Sequence, residues 1–125
     1  MIDLRVALHA KMRSIHPRAY FGQAPKGCDL PYVTYSIPGV YDDGEGHQRI
    51  SLDIDGWDAP ADGDTTAIET LMSQVNAGMD KAILDTPTSC AVFYLESKLT
   101  LDDDDPLVKR RKYIYQGHLF ERRDI

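Results

Sequence analysis

Apolar positions recur along the chain with two different periods. Leu4, Leu8, Met12 and Ile15 follow helical spacing over Asp3–Ile15, leaving Arg5, Lys11 and Arg13 for the solvent side, and Pro17 ends the segment. Residues 17–31 hold three prolines and two glycines, which predicts an irregular connection anchored by Tyr20 and Phe21. Tyr32–Ile37 is β-branched and aromatic between Pro31 and Pro38, and reads as a first strand. A glycine-rich polar turn follows. From Gln48 to Trp57, Ile50, Leu52 and Ile54 alternate with Ser51, Asp53 and Asp55, the signature of a half-buried second strand.

Helical spacing returns over Thr65–Leu84, where Ile68, Leu71, Met72, Val75, Met79, Ala82 and Ile83 form one stripe. Asp64 or Thr66 offers a cap, with Glu69 completing a capping-box pattern from Thr66, and Gly78 weakens the helix or marks a close approach. Ala91–Leu101 reads as a third strand and Asp102–Pro106 as a turn. The last strand, Val108–Arg122, puts Tyr113, Tyr115, Gly117 and Leu119 on one face and Ile114, Gln116, His118 and Phe120 on the other. One of these faces is expected on the core and the other partly covered by something else. The order α-β-β-α-β-β predicts an α+β fold for a single domain over residues 1–125. Its expected form is a two-layer sandwich, a four-stranded antiparallel sheet covered by helices on one face.

Composition sharpens this only a little. The chain has 125 residues, 42% hydrophobic and 27% charged, an ordinary balance for one folded domain. No apolar run reaches the roughly 18–20 residues of a membrane span, and charges interrupt the N-terminal segment, so a soluble intracellular protein is expected. Charge is segregated. Residues 1–39 carry five Lys/Arg against two Asp/Glu, residues 40–105 three against sixteen, and residues 106–125 six against two. Such separation suits subunits that meet by complementary patches, and an acidic chain is a poor binder of nucleic-acid backbone outside the Lys109–Lys112 run. Cys28 and Cys90 fit no zinc-ligand spacing and read as small buried hydrophobes of a reducing compartment, without excluding a disulfide.

Catalytic signatures are missing from the sequence. Asp102, Asp103, Asp104 and Asp105 offer carboxylates but lack the alternate spacing of a calcium loop, so an exposed charged turn is the preferred reading. Asp53 and Asp55 sit on the strand face opposite Ile50, Leu52 and Ile54, and Asp58 follows them, a solvent face by pattern. His9, His16, His47 and His118 make no metal-binding pair, and no GxSxG, phosphate loop or GxGxxG occurs. No catalytic, cofactor or metal residue is therefore assigned. The aromatic-basic stretch from Lys109 onward leaves one alternative, a small nucleic-acid-binding module that stacks bases on this strand.

Four stretches carry a resemblance: MIDLRVALHAKMRSIHP, LPYVTYSIPG at Leu30–Gly39, QRISLDIDGWD at Gln48–Asp58, and RRKYIYQGHLFER at Arg110–Arg122, together with the helix ending LMSQVNAGMDKAI. The chain resembles the tail-completion or tail-terminator proteins of long-tailed bacteriophages. The resemblance implies a structural virion protein without cofactor or chemistry, assembled in the host bacterial cytoplasm and resident in the tail or neck. It would form a ring, typically a hexamer, on the tail tube protein, stop tube growth and present a surface to a head-completion or connector protein. DNA would pass through it without specific binding, and no membrane would be involved. Within that picture, Lys109, Arg110, Arg111 and Lys112 are expected to face Asp42, Asp43 and Glu45 of a neighbouring subunit. Asp102–Asp105 would project to the lumen or to an adjoining ring.

Overall fold

The computed structural model describes residues 2–121 and shows two helices on a six-stranded sheet. Helix α1 spans Ile2–Ile15 and α2 spans Thr66–Met79. The strands are β1 (Ala19–Phe21), β2 (Tyr32–Asp42), β3 (His47–Asp58), β4 (Ile83–Asp85), β5 (Ser89–Asp102) and β6 (Lys109–Glu121). They lie in the order β1-β2-β3-β6-β5-β4. The strand predicted to end at Arg122 is seen to Glu121, and Arg122 lies outside the described residues.

The expected four-stranded antiparallel sandwich is overturned. The sheet is mixed and curled, because β1 runs parallel to β2, pairing Ala19 with Val33 and Phe21 with Tyr35. Both added strands are three residues long and sit at the two edges. Neither is long enough to show an alternation in sequence. The residues of β4 had continued the helical stripe, but α2 stops at Met79 because Asp80 leaves the helix in an extended conformation. The Asp80 carboxylate accepts the Leu95 N–H at 2.9 Å, and Lys81 turns through φ 64°. A left-handed residue without glycine cannot continue a right-handed helix. The chain then pairs Ile83, Leu84 and Asp85 with Val92, Ala91 and Cys90.

Strand β2 also runs past its predicted end. Pro38 is tolerated because the β2–β3 register shifts between Ser36 and Gly39, so the residue that lacks an N–H falls at a bulge. The helix start follows the sequence reading in part. Asp64 Oδ1 accepts both the N–H of Thr66 at 2.9 Å and its hydroxyl at 2.6 Å, but the N-cap position is Thr65, which makes no side-chain cap hydrogen bond, and the Thr66–Glu69 box is unused.

The core is one cluster. Leu4, Leu8 and Met12 of α1 and Ile68, Leu71, Met72, Val75 and Met79 of α2 pack on the sheet face bearing Val33, Tyr35, Ile50, Leu52, Ile54, Ala91, Phe93, Tyr113, Tyr115 and Leu119. Burying each large aliphatic side chain contributes about 1.5–3 kcal/mol. Gly78 marks a close approach: a Cβ there would stand 2.6 Å from Ile15 Cδ1. At the centre of the layer the Tyr115 hydroxyl donates to Asn76 Oδ1 at 2.9 Å, which satisfies the polar end of a fully buried ring. The alternate side chains of β3 and β6 form the opposite, open face.

Candidate functional site

Three of the four cations at the start of β6 are engaged within their own chain. Arg110 pairs in register with Trp57, covers its ring at 4.5 Å and donates from Nη2 to Asp55 Oδ1 at 3.4 Å. Lys112 Nζ lies 3.5 Å from Asp53 Oδ2, and Arg111 Nε donates to Glu69 Oε1 at 2.7 Å. Among the described residues Lys109 donates only to the Pro106 carbonyl, at 3.2 Å. The carboxylates Asp53 and Asp55, read from the sequence as solvent-facing, are thus the acid half of a cross-strand charge ladder on the open face. Burial pushes the Asp55 carboxyl up, against the pull of Lys112 and Arg110.

Asp42, Asp43 and Glu45 occupy the β2–β3 hairpin at the far end of the sheet. The register pairs Trp57 with Arg110 at one end of β3 and His47 with Phe120 at the other, roughly 33 Å apart at about 3.3 Å per residue. Within one chain the two predicted partners of the interface do not meet. Asp42 and Asp43 instead shape their own turn: Asp42 Oδ1 accepts the Gly44 N–H at 2.7 Å and Asp43 Oδ1 the Glu45 N–H at 2.9 Å. That Glu45 bond, helped by His47, holds the Asp43 carboxyl below the usual range. His47 Nδ1 also lies 2.9 Å from Asp43 Oδ2, and its Nε2 lies 3.2 Å from His118 Nδ1. The two ring planes are parallel to 1° with centroids 5.4 Å apart, so the rings meet edge to edge and share one N–H···N hydrogen bond.

Asp102–Asp105 form the β5–β6 turn. Asp103 Oδ1 accepts the Asp105 N–H at 3.1 Å and Asp105 Oδ1 the Leu107 N–H at 3.0 Å, two side-chain turns that set the loop's shape. Among the described residues no three His, Cys, Asp or Glu side chains gather where they could hold a metal ion. Cys28 and Cys90 are separate free thiols. Among the described residues no helix is long and apolar enough to cross a membrane.

Sequence reading missed a surface beside β1. A groove of about 370 Å³ runs between α1 and the sheet edge, bounded by Ile2, Arg5, Val6, His9, Phe21 and Tyr35. Its signal was present: Ile2 and Val6 stand one helical turn apart, off the buried Leu4–Leu8–Met12 stripe.

No family model matches the chain, and no curated protein matches it. Among solved structures, the fold is similar to that of a chain in the virion of a native gene transfer agent particle. The TM-score is 0.75 at 11% sequence identity, over 96% of this chain and 96% of that one. At this identity the likeness is one of fold.

Proposed function

We propose that this chain is a structural virion protein that caps the tail tube, ends its growth and offers the docking surface for the head, as a hexameric ring and without catalysing a reaction. The observation that carries the reading is the end-to-end fold likeness to a virion chain, over 96% of each chain. The charge layout is consistent with it. The acidic β2–β3 hairpin, with Asp42, Asp43 and Glu45, stands at one end of the sheet, and in a conduit such a surface repels passing DNA instead of retaining it. The nucleic-acid alternative is weakened, because Arg110, Arg111 and Lys112 are already neutralised by Asp55, Glu69 and Asp53.

The test is the light-scattering mass of the purified chain, alone and with polymerised tail tube. Six copies of the 14.1 kDa chain give a ring of about 85 kDa whose one contact repeats around an axis. Particles lacking the protein should accumulate heads and tails that fail to join, or tails of uncontrolled length. Normal particles, or a monomer that ignores the tube, would remove the reading.

A further inference from the structure

We infer that the groove between α1 and β1 is the docking site for the β5–β6 turn, residues 102–107, of a second copy of this chain. This rests on the ring reading above and names one of its contacts. The groove's outer wall is apolar where a helix surface is ordinarily polar, with Ile2 78% and Val6 66% exposed. Its polar interior is self-satisfied, since the His9 ring is hydrogen-bonded to the Tyr35 hydroxyl. The cation on its rim is Arg5, which covers Phe21 at 4.1 Å. Among the described residues no ion pair joins Arg5 to a carboxylate.

An apolar wall with a cationic rim fits an aliphatic side chain flanked by carboxylates, and the chain itself carries such a segment. In the turn Asp102–Asp105, Pro106, Leu107, the leucine is 52% exposed, and the two side-chain turns hold the loop in one shape, so little order is lost on docking. No residue of that turn lines the groove of its own chain. The contact therefore joins two different patches on two copies, the heterologous geometry that closes into rings. A nucleic acid fits less well, because its phosphates would lie against Ile2 and Val6.

The experiment follows from that asymmetry and uses the full chain. Val6→Glu blocks the groove and Leu107→Glu blocks the turn, both at exposed positions where circular dichroism should report an unchanged fold. By sedimentation, each variant alone should lose self-association by roughly tenfold or more. Mixed, they retain one intact groove and one intact turn, and should pair as a dimer of two 14.1 kDa chains. Arg5→Glu should weaken assembly and Asp104→Arg in the same chain should restore it, most clearly at low salt. Variants that assemble like the wild type, or a mixture that does not pair, overturn the docking site while leaving the ring. A wild-type chain that stays monomeric with and without the tube overturns both. A single-stranded oligonucleotide that binds the wild type and is lost in Arg5→Glu, with self-association unaffected, also overturns it.

Discussion

Arg110 lies 4.5 Å above the Trp57 ring while its Nη2 donates to Asp55 at 3.4 Å, so one guanidinium ties together two consecutive outward-facing positions of β3. Its Nε is buried without a partner among the described residues, which leaves the group dependent on the contacts it has. Arg111, one residue on, reaches past the sheet to Glu69, a carboxylate that is 52% exposed. Arg110→Glu should therefore cost about 1–3 kcal/mol of folding stability, by placing like charge beside Asp55. Arg111→Glu should cost about 0–1 kcal/mol. Urea denaturation of the two variants checks the order, and the reverse order would show that the Trp57–Arg110–Asp55 group is not structural.

The same comparison separates folding from assembly. Reversing Arg111 breaks a pair whose carboxylate is half exposed, so a loss of ring mass in Arg111→Glu at unchanged urea midpoint reads on subunit contact. Loss of assembly in Arg110→Glu does not, unless its midpoint is retained.

Tyr115→Phe should cost about 1–2 kcal/mol, because it leaves the Asn76 side-chain oxygen facing the α2–sheet layer without its donor. Burial pushes the Tyr115 hydroxyl far up, so the contribution should be independent of pH through the neutral range. Thermal unfolding at two pH values measures both.

Two sheet glycines should respond differently to alanine. A Cβ at Gly117 would stand 2.6 Å from Phe93 Cε1, against a fully buried ring that has nowhere to move, whereas one at Gly56 would meet the Met72 sulfur at 2.5 Å. Overpacking against the ring should cost about 1–3 kcal/mol, and the flexible methionine should yield more cheaply. Denaturation midpoints of Gly117→Ala and Gly56→Ala give the comparison, and equal losses would contradict it.

His16 links α1 to the loop before β2, its Nε2 3.2 Å from the Pro31 carbonyl oxygen, and burial is the main cause that lowers its pKa from 6.5. The unfolded chain therefore binds the proton more tightly. The stability contribution is present above about pH 6.5 and is lost as pH falls below it. Asp55 acts in the opposite sense: its raised carboxyl favours the folded state at low pH, and that advantage is lost as pH rises from 3.8. His16→Gln should flatten the slope of stability as pH falls below 6.5, and Asp55→Asn should change the slope as pH rises above 3.8. Urea midpoints across pH 3–8 measure both.

What the sequence determined by itself are the elements whose periodicity persists over many residues: both helices, the four long strands, and, for β3, which row is buried. Ile50, Leu52 and Ile54 lie on the core because their alternation with polar residues admits one facing only, whereas β6 carries apolar groups on both rows and only the packed helices select Tyr113, Tyr115 and Leu119. The short edges were decided elsewhere. Ala19–Phe21 becomes a parallel strand only because Val33 and Tyr35 lie beside it, and Ile83–Asp85 leaves the helical register because Asp80 is anchored to Leu95 across the fold. Tertiary structure also settled the partners of the charges. Arg110, Arg111 and Lys112 read in sequence as a free basic run, yet each finds its carboxylate 42 to 59 residues away, on β3 or α2. A local pattern encodes which face a residue takes, whereas an ion pair depends on which strands become neighbours, and that is fixed only when the whole sheet closes on its helices.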